Sequence, residues 1–238
     1  MKRRVVVTGI GALTPIGNNV NDTWKGILNH QCGIDLIQSF DTSNMKVKVA
    51  GELKDFEATE YLDKKDVRKM DKFIQYGLIA AKEAIKDSKL EIDSINHDRF
   101  GVVVSSGIGG LGSIEENHQR GLKKGFDRVS PYFIPMTIVN LAAGQIAIAF
   151  KAQGLATCPV TACAGGTNAI GDAFRNIRDG YLDVTIAGGC EASITPLGIG
   201  GFTSMKALSE SHDPNMPPFL LIKKEMVLSW AKEQECLF

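Results

Sequence analysis

Short runs of β-branched and small apolar residues alternate along this chain with longer stretches whose apolar positions recur every three or four residues. Residues 4–8 form the first run, a buried strand entering the turn Gly9-Ile10-Gly11. Asn21 or Asp22 is placed to cap a helix ending near Leu28, and residues 47–53 read as a second strand. The clearest helical period covers residues 66–87, where Phe73, Tyr76, Ala80, Ala81 and Ile85 share one face. Residues 100–104 read as another buried strand. Residues 137–150 predict a helix rich in small residues (Ala142, Ala143, Ala147, Ala149), suited to close packing. A strand over 156–160 then leads through Thr161-Ala162-Cys163 into a helix over 166–178. A strand over 183–187 follows, closed by Gly188-Gly189. Strands alternating with helices predict an α/β protein with a largely parallel sheet. No internal repeat or low-complexity linker interrupts it.

Composition narrows the function classes. The 238 residues are 44% hydrophobic and 23% charged, an ordinary globular mix. Lysine plus arginine equals aspartate plus glutamate at 27 each, so no global field selects nucleic acid or membrane as a partner. The apolar run after Lys2-Arg3-Arg4 is too short for a signal peptide, and no stretch approaches the ~18 apolar residues of a membrane span. Five cysteines, an odd count without CxxC spacing, argue against a disulfide framework or a metal site. The expectation is a reduced, cytoplasmic enzyme.

Cys163 stands apart by its place on the strand-to-helix turn. Unpaired amides and a partial charge of about +0.5 at a helix start favour a thiolate. The same amides can stabilise an oxyanion when a carbonyl is attacked. Ala162, Ala164, Gly165 and Gly166 leave room for a bulky thioester. The local pattern equally fits a small buried core cysteine. Cys158 and Cys190, in or at the ends of strands, read as packing residues, and Cys32 and Cys236 carry no signal. A competing motif, Gly107-Ile108-Gly109-Gly110-Leu111-Gly112, fits the G-x-G-x-x-G dinucleotide fingerprint. The acidic residue expected about 20 positions on is missing, because Asp127 lies in a loop-like segment. Gly9-Ile10-Gly11 fails the same test, with Thr14 where the third glycine belongs.

Several segments taken together resemble the β-ketoacyl-acyl-carrier-protein synthases, in the form of synthase II, the elongating condensing enzyme of dissociated fatty-acid synthesis. They are Val6-Val7-Thr8-Gly9-Ile10-Gly11-Ala12-Leu13-Thr14-Pro15-Ile16-Gly17, Val129-Ser130-Pro131-Tyr132-Phe133-Ile134-Pro135, Val160-Thr161-Ala162-Cys163-Ala164, and Ala187-Gly188-Gly189 with Glu191-Ala192. The likeness covers residues 3–215. It implies a thiolase-like fold, of which this chain is the amino-terminal βαβαβ half in an α-β-α-β-α layering, assembled as a homodimer. It implies a ping-pong reaction without cofactor, in which Cys163 accepts an acyl chain from acyl-carrier protein. Malonyl-carrier protein then loses carbon dioxide, and its carbanion attacks the thioester. Ile108 and Phe202 match residues lining the acyl pocket, and Phe133 one reaching the partner subunit's pocket; each is otherwise ordinary core. Lys65, Arg68 and Lys69, with Lys206, match positions that steer the acidic carrier protein. Lys64 joins them in a basic start to the long helix, where the dipole gives cations no benefit.

The chain also departs from the family. Asp127 replaces an arginine of the carrier patch, which should weaken docking, and Gly165 replaces a Thr or Ser, which should loosen the turn. The carbon–carbon step needs two histidines and a lysine from the family's second half. His30, His97, His118 and His212 match none of them, so the chain is expected to be inactive alone. From Met216 the residues stop resembling the family, leaving residues 216–238 as a foreign tail. Suitable synonymous codons for Met216 to Val227, read two bases on, encode Ala-Ala-Ile-Pro-Phe-Asp-Lys-Glu-Arg-Asn-Gly. Continued to Phe238, that frame gives Phe-Val-Met-Gly-Glu-Gly-Ala-Gly, the glycine-rich segment the family has here. The expectation is one lost base near the Asn215 codon. A non-catalytic carrier-binding or dimerising remnant and a nucleotide-binding domain are the rival readings.

Overall fold

The computed structural model describes residues 3–210 and 236–237. In chain order its elements are β1 (Ala12–Leu13), α1 (Val20–Leu28), β2 (Asp35–Leu36), β3 (Val49–Ala50), α2 (Lys64–Val67), α3 (Lys72–Ser88), β4 (Phe100–Ser105), α4 (Leu111–Lys124), α5 (Phe133–Thr137), α6 (Leu141–Ala149), β5 (Ala156–Thr157), α7 (Gly165–Arg178), β6 (Val184–Gly189), α8 (Pro196–Ser204) and β7 (Cys236–Leu237). Apart from β7, the expected tail over 216–238 lies outside the described residues.

All six residues of β4 are buried. The reason is its place in the middle of a three-stranded parallel sheet ordered β5-β4-β6, covered on both faces. Phe100, Val102 and Val104 point into a core made with Phe73, Ile74 and Ala80 of α3 and Ala142, Ala143 and Ile146 of α6. Val103 points the other way, onto Ala169 and Ala173 of α7. The α/β class and the half-fold expected from the sequence are what the chain adopts.

Several boundaries move, each for a local reason. Residues 4–8 form no strand, and Val6 and Val7 are 61% and 77% exposed. The amides just beyond them turn to α3 instead: Ile10 N–H donates to Asp87 (3.0 Å) and Ala12 N–H to Glu83 (3.0 Å). Of residues 47–53 only β3 is laddered, paired antiparallel with β2. The helix expected over 66–87 is two helices. Asp71 ends the interruption by accepting from Phe73 N–H at 3.2 Å as the cap of α3. The basic cluster therefore belongs to α2 and the break after it, not to the start of α3. The helix expected over 137–150 is shorter, with α6 beginning at Leu141, and α5, which ends at Thr137, is a separate short helix that the periodicity did not announce. The ladder of β5 stops at Thr157, two residues before Pro159, which has no N–H to give. Asn19, rather than Asn21 or Asp22, caps α1.

Two longer helices also have no counterpart in the sequence reading. The buried residues of α4 are Ser113, Asn117 and Gly121, so its inward face is polar and small and shows no apolar period. α8 (PLGIGGFTS) is poor in helix formers and is organised by its cap, with Thr195 Oγ1 accepting from Gly198 N–H and Pro196 in the first turn.

Candidate active site

Cys163 is the middle residue of a single 3-10 turn, Ala162–Ala164, that leads directly into α7. Its side chain is exposed. Ala162 is held at φ +49°, a left-handed conformation that is uncommon for a residue with a Cβ and costs about 1–3 kcal/mol. A strained residue immediately before an exposed thiol, at the start of a 14-residue helix without a side-chain cap, keeps the thiol at the helix mouth.

The turn is seated on the carboxyl ends of the parallel strands, where open α/β sheets bind ligands. Ser105, the last residue of β4, donates its hydroxyl to the Pro159 carbonyl at 2.6 Å. A Cβ added at Gly165 would fall on that Ser105 hydroxyl. The space a side chain at 165 would need is thus filled from β4, and Gly165 tightens the turn rather than loosening it. One residue on, a Cβ at Gly166 would lie 3.5 Å from Gly189 N at the end of β6.

Beside the turn runs the loop after β4, the segment that resembles a nucleotide fingerprint. Its amides are already occupied by protein acceptors. Ser106 N–H reaches Cys158 Sγ at 3.4 Å, and Gly107 and Ile108 N–H reach Glu191 Oε2 at 2.8 and 3.0 Å. Gly109 N–H reaches Ser106 Oγ at 3.0 Å, and Gly110 N–H reaches the Thr137 carbonyl at 3.3 Å. A phosphate would meet a carboxylate and amides already engaged with protein acceptors, which argues against nucleotide binding. Burial pushes the Glu191 carboxyl up from its usual range, opposed by the bonds it accepts from Ser193, Ile108, Gly107 and Ala192.

The residues expected to line an acyl pocket separate into two groups. Ile108 and Phe202 meet in one apolar cluster with Ile199, Leu208 and Ile194. Phe133 opens α5, half-buried and outside that cluster. Two cavities among the described residues have volumes of about 540 and 570 Å³, and neither is lined by Cys163 or Ile108. Arg68 lines the first of them together with Lys72 and Arg120. Lys65, Arg68, Lys69 and Lys206 are all exposed, and Lys69 pairs with Asp66 at 3.2 Å. Lys206 follows α8, whose opposite end at Thr195 borders the Arg68 cavity. Asp127 sits exposed in the turn Phe126–Arg128.

The remaining cysteines fit packing roles or carry no chemistry. Cys190 is buried, and burial raises the pKa of the half-buried Cys158 thiol. Among the described histidines, His97 pairs through Nδ1 with the Lys151 carbonyl and His118 packs on Phe126. His212 lies outside the described residues. Among those residues no cluster of His, Cys, Asp and Glu could hold a metal, and no helix is long and apolar enough to cross a membrane. Sequence reasoning assigned no role to Ser105 or Glu191. Glu191 was visible only as part of a motif, because its partners lie 84 and 83 residues away.

Comparison with known proteins supplies the family and the fold. A model of the "Beta-ketoacyl synthase, N-terminal domain" matches residues 2–218. A 3-oxoacyl-[acyl-carrier-protein] synthase 2 from Synechocystis is 49% identical over 212 residues, 89% of this chain and 51% of that protein. The Staphylococcus aureus protein of the same name is 48% identical over 211 residues, with coverage of 89% and 51%. The chain thus spans about half the length of the curated relatives it matches. Among solved structures, the ishigamide ketosynthase/chain length factor superposes with a TM-score of 0.82 at 26% identity, covering 89% of this chain and 53% of that one. A type II polyketide ketosynthase, solved in complex with its acyl-carrier protein, superposes with a TM-score of 0.72 at 26% identity, covering 86% and 55%. The fold is therefore that of the thiolase-like ketosynthases, and the chain belongs to the β-ketoacyl synthase family, whose amino-terminal domain it carries.

Proposed function

We propose that this chain is the thiol-bearing half of a condensing enzyme of fatty-acid synthesis, and that Cys163 is its nucleophile. The observation that carries this reading is the exposed Cys163 on a strained turn at the start of α7. In the first half-reaction Cys163 Sγ attacks the thioester carbonyl of an acyl chain borne by acyl-carrier protein. The carbon–sulfur bond to the carrier breaks, the carrier departs as a thiol with the proton, and a Cys163 thioester remains. Covalent catalysis of this kind divides one hard step into two. In the second half-reaction malonyl-carrier protein loses carbon dioxide, its carbanion attacks the Cys163 thioester, and the thiolate is released. That step draws on two histidines and a lysine implied by the family resemblance and unmatched in this chain.

The relatives' name supports acyl-carrier protein as the partner, and the exposure of Lys65, Arg68, Lys69 and Lys206 is consistent with steering an acidic surface. The open edge of β5 supports a homodimer. So do the exposed Ile134 of α5 and Ile138 just after it, Ile148 of α6, and Leu155 and Val160 on either side of β5. Of these elements, α6 contacts both α5 and β5. Phe133, at the head of α5, belongs to the same side and is proposed to reach the partner's pocket. A cytoplasmic setting suits exposed cysteine chemistry. A non-catalytic, carrier-binding remnant is the second reading, favoured by the placement of His97 and His118 in contacts of their own.

A thiol-directed alkyl electrophile separates the two. The proposal expects labelling concentrated on Cys163 and lost in Cys163→Ala. Uniform labelling of the exposed cysteines, unchanged in Cys163→Ala, would favour the remnant.

A further inference from the structure

Glu191 lies two residues beyond β6 and is half-buried, yet nothing in the proposed acyl transfer uses it. Its carboxylate accepts four hydrogen bonds. Oε2 takes Gly107 N–H (2.8 Å) and Ile108 N–H (3.0 Å), and Oε1 takes Ser193 Oγ (2.8 Å) and Ala192 N–H (3.3 Å). One oxygen is thus spent on its own segment and the other on the loop after β4. That loop stands between two parts of the site. A Cβ at Gly107 would lie 4.0 Å from Ala162 Cα in the nucleophile turn and 3.2 Å from Glu191 Oε2. Ile108, the next residue, packs against the buried cluster that includes Ile199 and Leu208, as Phe202 and Ile194 also do. Glycines at 107, 109 and 110 give this loop little stiffness of its own. Its position is set by what its amides donate to.

We propose that Glu191 is a positioning residue: it holds the Gly107–Ile108 loop against the Ala162–Cys163 turn and so fixes Ile108 relative to that turn, setting how the length of an incoming chain affects reaction at Cys163. The inference rests on the reading of Cys163 as the acyl acceptor and of Ile108 as a residue of its acyl pocket. What the loop requires of Glu191 is an acceptor at the right reach. Gln keeps that reach: its Oε1 can accept both loop amides and its Nε2 can donate to Ser193 Oγ, giving up only the long bond from Ala192 N–H. Asp keeps the charge but falls one methylene short.

The test uses the full chain and two reagents, iodoacetamide and N-hexadecyl iodoacetamide, with the rate at Cys163 followed by peptide mass. Melting curves confirm that each variant folds. The proposal expects Glu191→Asp to lower the long-to-short rate ratio about tenfold, with the iodoacetamide rate within about twofold of the unchanged chain. Glu191→Gln is expected to retain the ratio within about twofold. An unchanged ratio in Glu191→Asp would overturn it, as would a Gln variant that loses selectivity to the same extent. Both outcomes are read at a Cys163 whose own reactivity the unchanged chain reports. Failure of the Glu191 role is therefore distinct from failure of the Cys163 assignment.

Discussion

At the residue scale, the nucleophile turn depends on a side chain from another strand. Ser105 Oγ occupies the space beside Gly165, and its bond to the Pro159 carbonyl keeps it there. Gly165→Ser should therefore overpack the turn and destabilise the chain by about 1–3 kcal/mol. Adding Ser105→Gly should recover at least half of that loss, the mark of coupled neighbours. Urea unfolding of the two single variants and the double variant checks this; strictly additive losses would contradict it. Cys163 and its turn were legible from small flanking residues between a strand and a helix. The Ser105 contact was not, because a hydroxyl 60 positions away in the chain leaves no local pattern.

At the element scale, the structure joins pieces that periodicity alone left separate. Asp183, just before β6, accepts from Arg99 Nε at 2.6 Å and Nη2 at 2.9 Å, and from Arg3 Nη1 at 2.6 Å. These two guanidinium groups hold the Asp183 carboxyl down to about 2. A depressed carboxylate contributes stability that is present above its unfolded value near 4 and is lost as pH falls through the folded value. The network is half exposed, so solvent screening leaves it worth about 1 kcal/mol. Asp183→Asn is expected to lower the melting temperature by about 2–4 °C at pH 7. The gap should close between about pH 4 and about pH 2, as thermal melts across that range would show. A gap that persisted at pH 2 would count against the network.

Strong apolar signals fixed the elements that the sequence could announce: β4, the face of α3, and the strand–turn–helix around Cys163. α4 escaped because its buried face is Ser113, Asn117 and Gly121. α8 escaped because its glycines hide a helix that Thr195 caps. Residues 4–8 read as a strand because their β-branched run is strand-like. A strand also needs a neighbour, and among the described residues none pairs with them.

At the scale of the whole molecule, apolar surface lies open on two sides. Besides the surface around α5, α6 and β5, α7 exposes Ile170 and Phe174, which are 47% and 45% accessible. In the layering α-β-α-β-α implied by the family, α7 is a middle layer, and we propose that a second sheet layer covers it. We propose that the matching continuation lies in the neighbouring reading frame after the Asn215 codon, which suitable synonymous codons allow, beside the end of the family match at residue 218. Sequencing the DNA there should reveal Ala-Ala-Ile-Pro-Phe-Asp-Lys in that frame. Finding no family-like reading in either neighbouring frame would contradict it.

The claim beneath all of these is that the Cys163 sulfur takes an acyl group. Incubating the chain with acyl-carrier protein loaded with a saturated acyl chain, then weighing the intact chain, tests it directly. The account predicts a mass increase of one acyl group that hydroxylamine removes and that Cys163→Ser does not acquire. An adduct of equal yield on the Cys163→Ser chain, or none on the unchanged chain, would contradict it.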